Sequence, residues 1–375
     1  MNSQDIIVAI PHCQFVNGFK RGALYDVQRH KYYLVPNTLI NFVKRNDCAR
    51  LEKIFSKYNY DEHYILEEYL TFLQKIDAIY FAKSKEEAKM FSILDFTEST
   101  FCKISNAIVY NLSTNSACLI NKLEKLNCLN LKIILRSYFH EKNFNNLMKL
   151  FDNTGFKHIE LCFPFADNPN LKNIEMLLLK NQRCGKIIFY KAEQNKTFDF
   201  LNGHSTVELL IRDIFSVMEC RCINRDDFIV NQELFCESQN HNTCLNRKLC
   251  IDKDGYIKNC PYMEQHYGHI SNTNIEDVVN LPEFQKWWHI KKDDIDVCKD
   301  CEFRHMCTDC RAFIKDPENI YSQPAKCTYN PYICKWEGED GYVPVEECGT
   351  YSRETGFVPD KKKIKKLNKQ IWGDE

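Results

Sequence analysis

Over the first ninety residues the pattern of apolar and polar positions changes from short alternating runs to a helical period. Short β-strands are predicted by the runs GALYDVQ and KYYLVP, which are bounded by turn residues. Three helices are predicted by TLINFVKR, LEKIFSKY and the longer EHYILEEYLTFLQKI. Residues 1–90 therefore predict a winged-helix-like unit of three strands followed by three helices. The apolar face of the longest helix is predicted to consist of Ile65, Tyr69, Phe72 and Leu73.

From residue 91 to residue 230 strand-like and helix-like segments alternate. Strands are predicted by NAIVYNLS, LKIILRSYF, HIELCFPF and KIIFYKA, and the helices between them by ACLINKLEKL, FNNLMKLFDNTG and NIEMLLLKNQ. Repeated strand–helix units of this length are typical of a parallel sheet or a partial (β/α) barrel. The chain is thus predicted to belong to the α/β class.

The remainder divides into a loop-rich segment, residues 231–348, and a tail, residues 349–375. An Asp254–Gly255 turn predicts a hairpin that returns the chain towards Cys260. The tail contains KKKIKKLNKQIW, which predicts a basic helix, and we expect it to be a solvated end.

Charge and hydropathy exclude several classes of protein. Lys and Arg number 50 against 51 Asp and Glu, so the chain has no general attraction for nucleic acid or an anionic membrane. No window approaches eighteen consecutive apolar residues, and the start lacks the pattern of a signal peptide. We therefore expect a cytoplasmic protein.

The chain has 20 cysteines, and their distribution is uneven. In a reducing compartment they are buried thiols, catalytic thiols or metal ligands rather than disulfides. The nine within residues 1–235 are scattered through apolar stretches, which is typical of core packing. The eleven within residues 236–348 are dense enough to predict a metal site.

The strongest motif is CKDCEFRHMCTDC. Two CxxC pairs can direct four thiolates at metal, and this spacing alone suits structural zinc as well as an iron–sulfur cluster. We interpret Cys250, in the strand-like LCID run, as a packing residue, and Cys348 has no evident partner in the sequence. The candidate ligands are Cys298, Cys301, Cys307, Cys310, Cys327 and Cys334, with Cys236, Cys244 and Cys260 upstream.

This cysteine order resembles a SPASM domain, the auxiliary iron–sulfur domain of radical-SAM peptide maturases. The phrases CKDCEFRHMCTDCRAF and CTYNPY are similar to the SPASM-domain peptide maturases of grasp-with-spasm systems, which work with an ATP-grasp ligase and a small precursor peptide. The resemblance implies two [4Fe–4S] clusters. It implies one ligand set of Cys236, Cys244, Cys260 and Cys310, and a second of Cys298, Cys301, Cys307 and Cys327. In that family three residues usually separate the last two cysteines of this motif, whereas only two separate Cys307 from Cys310. Cys334 is therefore the substitute candidate for the ligand position of Cys310.

The middle segment departs from the radical-SAM pattern. The chain contains no CxxxCxxC, the triad that leaves one iron open for S-adenosylmethionine in that family, and IILRSYFHEKN has no glycine where a Gly-rich turn is usual. We therefore expect a degenerate radical-SAM-like barrel that does not use S-adenosylmethionine. The loose cysteines of this segment, Cys118, Cys128 and Cys162, are not expected to form a cluster.

Residues 1–90 are similar in pattern to the peptide-recognition element of ribosomal peptide maturation, which implies capture of a leader peptide by strand addition. Two functions remain open. The chain is either a maturase component with redox-active clusters, or a non-catalytic adaptor with structural iron–sulfur or zinc sites that presents the precursor to the ligase. The missing triad favours the adaptor, and eight cysteines at cluster spacing favour the maturase component.

Overall fold

The computed structural model describes residues 2–91, 101–113, 116–166, 169–214 and 223–373. Two compact units make up the chain. Unit 1 comprises residues 1–98, 222–243 and 290–375, and unit 2 comprises residues 99–221 and 244–289. Residues from the amino-terminal and cysteine-rich parts of the sequence thus share unit 1. The domain boundaries given above remain predictions.

The amino-terminal part of unit 1 contains the strands predicted at GALYDVQ and KYYLVP and the three predicted helices, together with the further strands β1, β2 and β5 and the short helix α4. Strands β2, β3 and β4 form an antiparallel sheet in that order, and β1 pairs with β5. The elements are β1 Ile6–Ala9, β2 Cys13–Val16, β3 Gly22–Asp26, β4 Lys31–Val35, α1 Asn37–Asn46, α2 Leu51–Phe55, α3 Tyr60–Lys75, β5 Ile79–Ala82 and α4 Lys85–Ala88.

Helix α3 begins at a capping box, in which Asn59 and Glu62 bond each other's backbone N–H groups. The fully buried residues of α3 are Leu66, Leu70 and Leu73. Ile65 is 46% exposed, so the prediction that it lies on the buried face was wrong. The helical period of α3 was predicted correctly, but its buried face is rotated about the helix axis from the predicted one. The three leucines, rather than Ile65, pack against α1 and the sheet.

The middle of the chain forms an eight-stranded sheet in unit 2. Its order is β10-β11-β9-β8-β7-β6-β12-β13, parallel from β11 to β12 and antiparallel at both ends. The four predicted strands and three predicted helices are confirmed. The elements are β6 Asn106–Tyr110, α5 Ala117–Lys125, β7 Asn130–Ile134, α6 Glu141–Met148, β8 His158–Pro164, α7 Leu171–Lys180, β9 Cys184–Tyr190, β10 Lys196–Phe200 and β11 Ser205–Leu210.

The rest of the chain contributes short elements to both units. The predicted hairpin is β12–β13, with Gly255 at φ +84° in its turn. The elements are α8 Gln232–Asn240, β12 Lys248–Ile251, β13 Ile257–Lys258, α9 Ile275–Val279, α10 Pro282–Gln285, β14 Tyr329–Asn330, β15 Lys335–Trp336, β16 Gly349–Ser352, β17 Gly356–Pro359 and α11 Lys361–Trp372.

Helix α11 is the predicted basic helix, but it is not a solvated end. Ile364 is buried with Tyr332, Val345 and Phe357, and the indole N–H of Trp372 donates to the carbonyl of Ile333 at 3.0 Å. The expectation of a solvated tail was wrong because apolar residues at three- and four-residue spacing give this basic helix one buried side.

Within the described residues, no helix is long and apolar enough to cross a membrane.

Candidate metal centre

The first CxxC pair lies in a tightly turned loop of unit 1. Val297 has φ +66° and ψ −42°, and the N–H of Cys298 donates to the carbonyl of Asp296 at 2.7 Å, which makes a strained γ-turn. A 3₁₀ turn follows, in which the N–H of Cys301 donates to the carbonyl of Cys298 at 3.0 Å. A β-branched residue at positive φ stores strain, and such strain concentrates at functional sites.

Four of the predicted ligands lie near one another in unit 1. The charge of Cys327 raises the pKa of Cys298, Cys301 and Cys307, in each case behind the larger effect of burial. Burial raises the pKa of Cys298 to about 12. Each of these thiols would therefore be protonated on its own, and only a bound metal or a nearby cation would hold it as a thiolate.

A cation is present in the form of Lys292. Its side chain is 4% exposed, and its Nζ lies 3.3 Å from Sγ of Cys307. Burial by itself lowers the pKa of Lys292, but Cys307, Cys298 and Asp309 outweigh it and the net shift is upward. This lysine could not be identified from the sequence, because a single Lys between polar neighbours gives no sign of burial.

The carboxylate beside Lys292 is already occupied. Arg311 donates from Nη2 to Oδ1 of Asp309 at 2.8 Å, and the amide of Asn242 donates to Oδ2. The N–H of Asp309 donates to Oγ1 of Thr243, which in turn donates to the carbonyl of Cys307. These bonds fix the turn of the second CxxC pair, because Asp309 lies between Cys307 and Cys310. Both Lys292 and Arg311 approach this one carboxylate.

The residues of this pocket fit metal-bound thiolates. Cys298 and Cys307 are buried, and Cys301 and Cys327 pack against the apolar cluster that contains Phe303. The N–H of Phe303 points at Sγ of Cys301 at 3.4 Å. Four Cys thiolates are the usual ligands of an iron–sulfur cluster, and hydrogen bonds to the sulfurs belong to such sites.

The spacing of the thiols bears on the zinc alternative. Four thiolates around one zinc at 2.3 Å lie about 3.8 Å apart. Among the residues that the structure describes, no three of the four Sγ atoms lie within 4.8 Å of one another. The thiols as placed are spread more widely than a zinc tetrahedron requires.

The other predicted set is divided between the units. Cys236, on α8, and Cys310 are half-buried in unit 1. Cys244 and Cys260 belong to unit 2, where Cys260 follows the β12–β13 hairpin and is buried, and Cys244 accepts from Nζ of Lys248 at 3.7 Å. This set stays a prediction.

Three further cysteines of the dense segment are buried. Cys250 lies on β12 in an apolar cluster, which confirms that it is a packing residue. Cys348 accepts from the amide of Asn330 at 3.3 Å, a partner that the sequence did not indicate. Cys334 has φ +56°, and its thiol donates to the carbonyl of Pro331 at 3.7 Å. Its role as a substitute ligand stays a prediction.

One further group of ligand types lies in unit 1. His12, Cys13 and Asp26 have ligand atoms within 4.8 Å of one another, and within the described parts of the chain they are the only such group of three. Arg29 fills this place: its Nη1 lies 2.9 Å from Oδ2 of Asp26 and 3.3 Å from Nε2 of His12. Because the guanidinium of Arg29 already neutralises the buried carboxylate of Asp26, we assign no metal to this group of three residues.

In unit 2 the sheet has one helix-covered face and one face with half-buried charges. Lys132 pairs with Glu160 at 2.5 Å and Lys186 with Glu208 at 2.6 Å, across neighbouring strands. Lys132, Glu160 and Lys186 border a cavity of about 460 Å³ whose lining also includes His204. Charged residues inside otherwise apolar strands could have indicated this face from the sequence.

Comparisons with known proteins give little beyond this geometry. No protein-family model and no curated protein matches the chain. It is similar to two crystal structures of SuiB from Streptococcus suis, one bound to S-adenosylmethionine and one bound to the precursor peptide SuiA. The first has a TM-score of 0.32 and 10% identity, the second 0.28 and 11%, and both alignments cover 86% of this chain and 100% of SuiB. At such values the function must be argued from the residues of the chain itself.

Proposed function

We propose that this protein is a cytoplasmic component of a ribosomal-peptide maturation system. It binds a precursor peptide through its amino-terminal module, carries two [4Fe–4S] clusters in its cysteine-rich segment, and works with an ATP-grasp ligase. The observation that carries the proposal is that the buried ammonium of Lys292 lies 3.3 Å from Sγ of Cys307 and also acts on Cys298 and Cys327. Cys301 closes the 3₁₀ turn that begins at Cys298.

The peptide site is strand β4. It forms one edge of its three-stranded sheet, and Leu34 on it is 42% exposed. On the other face of the strand, Tyr33 packs edge-to-face on Phe72 of α3 at 6.1 Å between ring centroids. An exposed edge beside a helix suits strand addition, in which the peptide backbone bonds the edge and its side chains enter the groove.

The same strand adjoins the cysteine loop within unit 1. The ring of Tyr32 on β4 lies 6.0 Å from that of Phe303, edge-to-face, and Phe303 is two residues after Cys301. The ring of Tyr25 on the neighbouring strand belongs to the same apolar cluster, and its hydroxyl donates to the carbonyl of Glu302. A peptide added to β4 would therefore be held close to the cysteine loop.

These contacts indicate what the cluster and the residues of the chain would each contribute. A bound cluster supplies one-electron transfer. The residues of the chain hold the thiolates in a water-poor pocket, provide the N–H of Phe303 and the ammonium of Lys292 as donors to sulfur, and position the peptide at β4. The four thiols of this set complete one cluster and leave no protein ligand position open.

The alternative is an adaptor whose clusters, or zinc ions, serve only to hold its loops. The absence of CxxxCxxC from the sequence favours it. A reversible change of cluster oxidation state that alters the modified peptide would exclude it. Equal product from the ligase with reduced, oxidised and metal-free protein of intact fold would establish it.

Peptide binding is tested by titration calorimetry with the cognate precursor peptide. The substitution Leu34→Glu places a charge on the peptide-binding edge and should weaken binding at least tenfold, about 1.4 kcal/mol. The matched control is Val358→Glu, at a position 48% exposed on strand β17, which should bind as the wild type does. Equal affinity of all three proteins would show that the peptide docks elsewhere.

A further inference from the structure

Lys292 is unusual because lysine is almost never fully buried without a partner. It begins a 3₁₀ turn at Lys292–Asp294, and 4% of the residue is exposed. Its Nζ points at Sγ of Cys307 at 3.3 Å. The neighbouring Lys291 extends away from the thiols and donates to the carbonyl of Gln239.

Among the described residues, no carboxylate lies within hydrogen-bonding distance of this ammonium. The nearest described one, Oδ1 of Asp309, is 3.9 Å away, beyond hydrogen-bonding distance. Asp309 already accepts from Arg311 on Oδ1 and from Asn242 on Oδ2. Lys292 and Arg311 thus leave one excess positive charge in the pocket, and the neighbouring groups that can balance it are the cysteine sulfurs.

We propose that Lys292 is a fixed counter-cation that raises the reduction potential of the cluster held by Cys298, Cys301, Cys307 and Cys327. This inference rests on the cluster in the proposed function. Reduction passes one electron to the cluster, and no covalent bond forms or breaks. The added negative charge is stabilised by an ammonium hydrogen-bonded to a ligand sulfur, and burial prevents water and salt from screening it.

Lys299 is the matched control on the same loop. It follows Cys298 directly, but its side chain is 39% exposed and its Nζ pairs with Asp296 at 3.1 Å. A charge that is solvated and paired acts weakly on the cluster, because water and the carboxylate cancel most of its field. Removing either lysine changes the net charge equally, so the comparison isolates burial.

The experiment is a redox titration of anaerobically purified full-length protein with dithionite, followed by electron paramagnetic resonance. Lys292→Met should shift the reduction equilibrium at least tenfold towards the oxidised cluster, which corresponds to 59 mV for one electron. Lys292→Arg and Lys299→Met should stay within twofold of wild type. The signal that must move is the one that Cys301→Ala abolishes.

Iron content, measured on the same samples, separates the outcomes. Unchanged reduction of Lys292→Met with full iron overturns the role of Lys292 and leaves the proposed function intact. Loss of iron in Lys292→Met but not in Lys292→Arg supports a counter-cation, because arginine keeps the positive charge. Loss of iron in both variants would mean that the pocket needs the size and shape of the lysine side chain rather than its charge, and would overturn the inference. Wild-type protein without iron overturns the proposed cluster, and this inference with it.

Discussion

At the scale of single residues, Cys301 joins the proposed metal chemistry to the packing of unit 1. Its Sγ accepts the N–H of Phe303, and its side chain packs against the cluster of Phe303 and Tyr329. Cys301→Ala should remove about half the iron of anaerobically purified protein, because one of two clusters loses a thiolate. Iron is measured per chain, with Cys250→Ala as the control that keeps full iron. Equal iron in both variants would contradict the ligand assignment.

Glu302 is a second residue on which unit 1 depends. Its carboxylate is fully buried and accepts from Nε of Arg21 at 2.8 Å and from the hydroxyl of Tyr329. Arg21→Met should lower the free energy of unfolding by about 3 kcal/mol, because it leaves a buried charge without its cation. Chemical denaturation measures this, and the exposed Lys53→Met should change stability by less than about 0.5 kcal/mol. A similarly small effect of Arg21→Met would show that the hydrogen bond from Tyr329 is enough to stabilise the carboxylate of Glu302.

At the scale of elements, helix α11 shows how a charged sequence can form a docked helix. Asp360 caps its start by accepting from the N–H groups of Lys362 and Lys363. Its apolar side is Ile364, Leu367 and Ile371, packed on the residues around Val345 and Phe357.

The docking of α11 can be measured directly. Ile364→Gln should speed amide hydrogen exchange in residues 361–372, because burial of one such side chain contributes about 1.5–3 kcal/mol. The neighbouring Lys365→Gln, on the exposed side, should leave exchange unchanged. Equal exchange in the two variants would indicate that the helix is held by its cap and by Trp372 rather than by Ile364.

The elements themselves were largely predictable. Alternation and helical period located the strands β3, β4 and β6 to β9 and the helices α1 to α3 and α5 to α7, because those patterns follow directly from burial of one face. The buried side of α3 could not be predicted, since Ile65 and Leu66 are adjacent and both apolar, so either could lie on the buried face. Likewise, β12 joins the large sheet through a pairing with β6 that is distant in sequence.

The candidate ligands can be named from the sequence and stay a prediction, whereas the residues around them could not be named. CxxC spacing indicated Cys298, Cys301 and Cys307 because short loops bring thiols together. Lys292 and Asp309 could not be found in this way. Their importance comes from burial. For Asp309 this depends on contacts with Asn242 and Thr243, which lie 67 and 66 residues earlier in the chain.

At the scale of the whole molecule, the chain should not cleave S-adenosylmethionine. Cys118 is exposed on α5, Cys128 is buried beyond the end of that helix, and Cys162 is buried in β8. These three do not reproduce the triad that leaves an iron open in radical-SAM enzymes. Reconstituted protein with S-adenosylmethionine and dithionite should give no 5′-deoxyadenosine above a protein-free control. Turnover that disappears in Cys118→Ala would reveal a cluster in unit 2.

The central claim is that the cysteine-rich segment holds iron–sulfur clusters. The most direct measurement is iron, sulfide and zinc per chain in protein purified without oxygen from its own cells. Two [4Fe–4S] clusters predict about eight iron and about eight sulfide per chain, with visible absorption that dithionite bleaches. Stoichiometric zinc with neither iron nor sulfide would contradict the account and leave the cysteines as structural zinc ligands.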